Sequence, residues 1–226
     1  MTPTMVSAFL LGGMVWAMAA ESQSGAGKSP DQDRRVQAVI DEVDRICRRD
    51  FIYMIGPQKA ARLASLVSAK KPKLVVECGT AIGYSGLWIA RALKSNGKGR
   101  LITIEIDEDR ARIARDFFRK AGLLEFIEPR VGDACQIVRE LREPVDFLFL
   151  DCNYSNYYPC FVGIEAQLAG GAIVVADNVA VGASSASDYL GLVRSKYKSH
   201  TEWFEINLPW GNRDAMEITV IQPRGR

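Results

Sequence analysis

LVVECGTAIGYSG, residues 74–86, decides the fold. Its opening run, Leu74-Val75-Val76-Glu77-Cys78, is short, apolar and closed by an acid. A run of this kind reads as a strand buried on both faces, as in a parallel sheet. Gly79, Gly83 and Gly86 follow, where the backbone can turn sharply and approach a ligand before a helix begins. Working outward, two further runs have the same form: Phe147-Leu148-Phe149-Leu150-Asp151 and Ile173-Val174-Val175-Ala176-Asp177-Asn178. In open α/β sheets ligands lie outside the carboxyl ends of the strands. Neighbouring strands ending in carboxylates and an amide therefore describe one polar site on one rim of one sheet.

The remaining chain supports that architecture. Strand candidates are 74–79, 100–106, 127–132, 145–151, 171–177, 203–209 and 216–222, with helices over 84–94, 108–121, 133–142, 156–168 and 184–197. The 108–121 segment has a clear core stripe in Ile113, Ala114, Phe117, Phe118 and Ala121. Such alternation predicts a doubly wound, mostly parallel, seven-stranded α/β sheet of Rossmann-like form. The last two strands have only Leu208-Pro209-Trp210-Gly211-Asn212 between them, which predicts an antiparallel C-terminal hairpin at the sheet edge. Two helices precede the sheet. One is opened by Ser29-Pro30 and carries Val36, Val39, Ile40, Val43, Ile46 and Cys47; the other runs from about Pro57 to Val67. Residues 33–226 form the folded domain, and 1–32 are an apolar segment plus a polar linker.

Composition excludes several functions. Of the 226 residues 25% are charged, yet the net charge is only +2 and no basic run could track a phosphate backbone, so nucleic acid is not an expected partner. Cys47, Cys78, Cys135, Cys152 and Cys160 contain no C-x-x-C pair, which argues against zinc and redox dithiols and leaves five free thiols in a reducing compartment. Met5–Ala20 is uncharged and mostly apolar, slightly short of the roughly 20 residues that span a bilayer. It reads as a membrane anchor, with a cleaved signal and a packing helix as alternatives. The positive charges that follow such an anchor would keep the large domain on the cytoplasmic side. A homodimer is left open. His200, the only histidine, is expected at the surface near the end of the last helix.

The glycine loop lacks the G-x-G of a dinucleotide fingerprint and carries Glu77 two residues before Gly79. A carboxylate there repels a phosphate but suits an ammonium group. Glu105 lies 22 residues after Gly83, where an acid commonly grips ribose hydroxyls. Asp133 offers a further acceptor after the third strand. A ribose grip, an acceptor and an acid near an amine together suggest S-adenosylmethionine. The plainer alternative is that Glu105 and Asp133 only cap the helices after them. Asp151, Asp177 and Asn178 all offer oxygen at the ends of strands about 4.8 Å apart. That donor set suits Mg²⁺ with positions left open. The alternative is a cofactor contact at Asp151 and a loop start at Asp177-Asn178.

VVECGTAIGYSGLWIARAL, ITIEIDED, VGDA, FLFLDCNYSNYY and IVVADNV, in that order, resemble the motifs of metal-dependent S-adenosylmethionine O-methyltransferases, the group of catechol and caffeoyl-coenzyme A O-methyltransferases. The resemblance runs from about Phe51 to Val220. It implies a class I methyltransferase fold and a cofactor site. Met54 and Ile55, with Gly56-Pro57, would cover the methionine end. Glu77, Gly79, Gly83, Tyr84 and Ser85 would line the methionine and loop region, Glu105 and Ile106 the ribose side, and Asp133-Ala134 the adenine. It also implies Mg²⁺, or another divalent cation, on Asp151, Asp177 and Asn178, with Asp151 touching the cofactor as well. The implied substrate is a small aromatic with vicinal hydroxyls. One departure stands out: Tyr154 occupies the position where the family usually has a Lys as general base. A phenol could take that role only with a lowered pKa, and otherwise forms a substrate wall. Glu217 matches the carboxylate that catechol enzymes set against the second hydroxyl, or is an ordinary strand residue. Trp210, Tyr157 and Tyr158 are candidate walls for a flat substrate. The rival functions are metal-independent methylation of another small molecule and a non-catalytic, membrane-tethered cofactor scaffold.

Overall fold

The computed structural model describes Met1 and residues 30–223. Met5–Ala20 and most of the polar linker lie outside these residues. The described chain opens with helices α1 (Pro30–Asp50) and α2 (Gly56–Lys70). It then alternates through β1 (Leu74–Cys78), α3 (Tyr84–Asn96), β2 (Arg100–Glu105), α4 (Glu108–Ala121), β3 (Ile127–Val131), α5 (Ala134–Glu140), β4 (Val145–Leu150), α6 (Tyr157–Ile164), β5 (Leu168–Ala176) and α7 (Ser187–Lys196). The hairpin β6 (Lys198–Leu208) and β7 (Gly211–Val220) closes it.

Among the described residues the strands form one seven-stranded sheet in the order β3-β2-β1-β4-β5-β7-β6. All pairs from β3 to β5 are parallel, and β7 runs antiparallel to both β5 and β6. The doubly wound sheet and its edge hairpin are therefore as the sequence implied. Successive strand residues face opposite sides. Val75, Phe147, Phe149 and Val175 pack with Val43, Leu63, Leu87 and Phe118 of α1–α4. Val76, Leu148, Leu150 and Val174 pack with Val138, Phe161, Tyr189 and Val193 of α5–α7. Burial on both faces is what makes the central strands continuously apolar.

Three expectations are corrected. β6 begins at Lys198 and β7 at Gly211, each five residues earlier than the sequence pattern suggested. His200 consequently sits on the edge strand beside Glu202 rather than near a helix end. Cys135 and Cys160 are paired in a disulfide that joins α5 to α6, whereas Cys47, Cys78 and Cys152 are free thiols.

The strand ends are in step. Leu150 lies beside Cys78 on one side and Ala176 on the other. The ladder continues one residue further: Gly79 N–H donates to the Ile104 carbonyl, Asp151 N–H to Cys78, Asp177 N–H to Leu150 and Gly132 N–H to Glu105. This register brings the glycine loop, Glu105, Asp151 and Asp177 onto one rim. Gly79 is required there, because at φ +103° a Cβ would collide with the Asp151 carbonyl.

Candidate active site

The rim has two halves. The first is built around the loop between β1 and α3. Glu77, at the end of β1, is fully buried and accepts hydrogen bonds from the hydroxyls of Thr103 and Ser85. Its Oε1 is buried with no hydrogen-bond partner. Burial pushes its pKa up to about 7, against the lowering effect of the two hydroxyls. Glu105 folds back on its surroundings: Oε2 accepts from Ala81 N–H at 2.7 Å, and Oε1 accepts from Ile106 and Asp107 N–H at 3.1 Å each. It does not cap α4, since Asp107 does so by accepting from Arg110 N–H. Asp133 is a cap, accepting from the N–H groups of Cys135 and Gln136 at the start of α5; Ala134 is the first residue of that helix. Ile106, directly after Glu105, stands 72% exposed.

The other cofactor candidates are more deeply placed. Met54 and Ile55 belong to the core beside the start of α2, and Ser85 is buried. Gly83, at φ +98°, closes the loop with its N–H on the Thr80 carbonyl. Tyr84 is buried at the head of α3, with Asp44, Arg48 and Cys47 of α1 as electrostatic neighbours.

The second half is a buried charge cluster. Asp177 and Asn178 follow β5, and Asn178 takes the left-handed conformation (φ +53°) that Asn tolerates. Between them sits an ammonium group that sequence reasoning missed, that of Lys59 on α2. Lys59 Nζ lies 2.7 Å from Asp177 Oδ1 and 2.8 Å from Oδ2, and donates to Asn178 Oδ1 at 2.8 Å and Asp214 Oδ2 at 3.2 Å. Its side chain is 1% exposed. Burial works against the charge, but Asp177, Asp214 and Asp151 outweigh it and hold the lysine above its ordinary pKa. Asp151, in turn, is pushed well up by burial and by Asp177, and Asp177 is pushed up by burial despite Lys59. The signal for Lys59 lay in the helix pattern. Gly56, Lys59, Ala60, Leu63 and Val67 share one buried face, and a lysine on such a face needs carboxylate partners.

Two of the three candidate donors, Asp177 and Asn178, already hold a cation, the Lys59 ammonium, while Asp151 acts on it through its charge. Two carboxylate oxygens and an amide oxygen converge on a single point, as hard-ion coordination requires. Among the described residues no three His, Cys, Asp or Glu side chains gather closely enough to hold a metal ion by themselves, so Asn178 is needed in the set.

Other candidates are placed differently. Glu217 is fully buried on β7, and its oxygens accept from Arg194, Ser199 and Thr201, a network on α7 and β6 rather than the Lys59 cluster. Tyr157 is not a wall: it is buried, and its hydroxyl donates to the Asp177 carbonyl at 3.0 Å. Trp210 packs edge-on against Tyr53, and Tyr158 is exposed on α6. Tyr154 lies against Gly182 and hydrogen-bonds Asn178. Burial raises its pKa and the nearby Asp151, Asp214 and Asp177 add to the rise. The protein's own groups therefore do not lower it, and the lowering that a phenolic base requires would have to come from a bound cation or sulfonium.

The sequence pattern of the O-methyltransferase family matches residues 34–192. The chain belongs to the O-methyltransferase family. The methyltransferase is 34% identical over 194 residues to catechol O-methyltransferase B of Danio rerio, covering 82% of this chain and 72% of that protein. It is 36% identical over 129 residues to catechol O-methyltransferase of Niastella koreensis, covering 55% and 58%. In fold it is similar to the O-methyltransferase from Bacillus cereus in complex with SAH, with a TM-score of 0.71, 24% identity, and 82% and 91% of the two chains covered. Family and relatives support the enzyme class read from the sequence, an S-adenosylmethionine-dependent O-methyltransferase. Among the described residues no helix is long and apolar enough to cross a membrane.

Proposed function

We propose that the enzyme methylates a hydroxyl of a small catechol-like aromatic, with the acceptor presented at Asp151, Asp177 and Asn178 and the donor lying along the glycine loop. The observation that carries this reading is a cation-holding cluster after β5 on the same rim as the loop, with Asp151 at the end of β4, the strand between them. S-adenosylmethionine would supply an electrophilic methyl group on a sulfonium, and a divalent cation would favour the ionised form of a hydroxyl whose pKa is near 10.

The chain's own contributions are orientation and charge. Gly79 lets the end of β1 lie directly against the Asp151 backbone. The uncommitted Oε1 of Glu77 is an acceptor for the donor's amine. Exposed Ile106 offers a flat apolar contact beside Glu105, which fixes the loop through Ala81. Asp151, Asp177 and Asn178 would hold the cation. Tyr154 supports Asn178 and walls the site. Bringing the acceptor oxygen and the methyl group together is the main source of acceleration in such a site.

The position of Lys59 favours one second reading, in which the ammonium itself serves as the cation and transfer needs no metal. A labelled-methyl transfer assay over catechols and simple phenols separates the two, run with Mg²⁺ and with a strong chelator. Catechol methylation that disappears in chelator supports the main reading; full activity in chelator supports the second; no transfer to any phenol contradicts both.

A further inference from the structure

We propose that Lys59 is the resident counter-cation of the donor cluster, and that a divalent ion enters by moving its ammonium from Asp177 and Asn178 onto Asp214. This rests on the reading of the cluster as a divalent-cation site.

An ammonium has three protons to donate. Lys59 directs them to three acceptors in two groups: Asp177 and Asn178 after β5, and Asp214 on β7. The first group supplies two of the three residues on which an ion would sit, Asp151 being the third. Asp214 belongs to a different strand and is held in place by Val181 N–H, which donates to its Oδ1 at 3.3 Å. The backbone of Lys59 is fixed on the buried face of α2. Its four-carbon stem is flexible, so the exchange needs only side-chain rotation.

Charge supports relocation over expulsion. Asp151, Asp177 and Asp214 all act on Lys59. With all three ionised, the state a bound divalent cation would favour, the carboxylates exceed the ammonium by two negative charges, the charge of that cation. Lys59 paired with Asp214, and an ion on Asp151, Asp177 and Asn178, would make the buried cluster formally neutral. With no ion bound, the lysine keeps Asp177 and Asn178 converged, since a buried acid without a cation is strongly unfavourable.

The test measures Mn²⁺ binding by calorimetry to the parent, Lys59→Met, Asp214→Asn and the double variant. Lys59→Met is expected to bind Mn²⁺ about tenfold more tightly. Asp214→Asn should weaken binding about fivefold more in the presence of Lys59 than in its absence, because the displaced ammonium then has no carboxylate to receive it. Unchanged affinity in Lys59→Met, or equal weakening by Asp214→Asn in both backgrounds, would overturn the exchange while leaving the metal site standing. Absence of Mn²⁺ binding in all four proteins would overturn the metal reading and this inference with it. A second measurement needs no substitution. In protein labelled with ¹⁵N-lysine, the buried Lys59 ammonium resonance should shift when Mg²⁺ is added; a resonance unmoved at saturating Mg²⁺ would overturn the proposal.

Discussion

Single residues on this rim are set by burial more than by identity. Glu77 has its pKa raised from 4.5 to about 7, so between those values the folded protein holds a proton that the unfolded chain has released. Stability therefore falls as pH rises through that window, by about 3 kcal/mol once Glu77 is fully ionised, and is unaffected below it. Glu77→Gln should make the cofactor-free protein melt at higher temperature at about pH 8, with the gain vanishing at about pH 4.5. Bound S-adenosylmethionine should stabilise the parent more than this variant, which differential scanning fluorimetry would detect. Tyr154 gives a second test. Tyr154→Phe should leave turnover within about threefold of the parent, whereas loss of a general base costs about 10²–10⁴-fold. Asp151, Asp177 and Asn178 were legible because each closes an apolar run. Lys59 and Asp214 were not, because nothing local distinguishes a lysine that reaches a partner 118 residues away from a solvated one, except its place on an apolar helix face.

Among the elements, the disulfide between α5 and α6 is the contribution that sequence concealed. Its cysteines are 25 residues apart without a motif, and spacing alone carries no pairing information. Closing a loop of that length restricts the unfolded chain by about 3 kcal/mol. Cys135→Ser with Cys160→Ser should lower stability in urea by about that amount under oxidising conditions, and the variant should no longer respond to reductant. A parent whose midpoint does not change on reduction would contradict the bond's contribution. Central strands and α4 were readable because burial on two faces, or one clear stripe, fixes residue type. The first halves of β6 and β7 were not. Lys198-Ser199-His200-Thr201-Glu202 and Gly211-Asn212-Arg213-Asp214 are mostly polar, since the outer hairpin has little core to fill, and hydrophobic periodicity is silent there.

For the whole molecule, sheet order and strand register do the work that no motif does alone. The order β3-β2-β1-β4-β5 places the loop, Glu105 and Asp133 on one side of β1 and the acid cluster on the other, with Gly79 and Asp151 adjacent at the crossing. The ordered motifs made this legible, because consecutive strands of a doubly wound sheet deliver their carboxyl ends to one rim. The departure at Tyr154 was visible too, but its consequence depended on packing against Gly182 and Asn178 that sequence does not show. For methyl transfer as proposed, donor and cation must share that rim. Crystals grown with S-adenosylmethionine and Mn²⁺, measured at the manganese absorption edge, test it most directly. One anomalous peak bounded by Asp151, Asp177 and Asn178 is expected, with the donor's sulfonium facing it across the Gly79 loop and Lys59 turned to Asp214; a peak elsewhere, or a donor bound away from the loop, would contradict a shared rim.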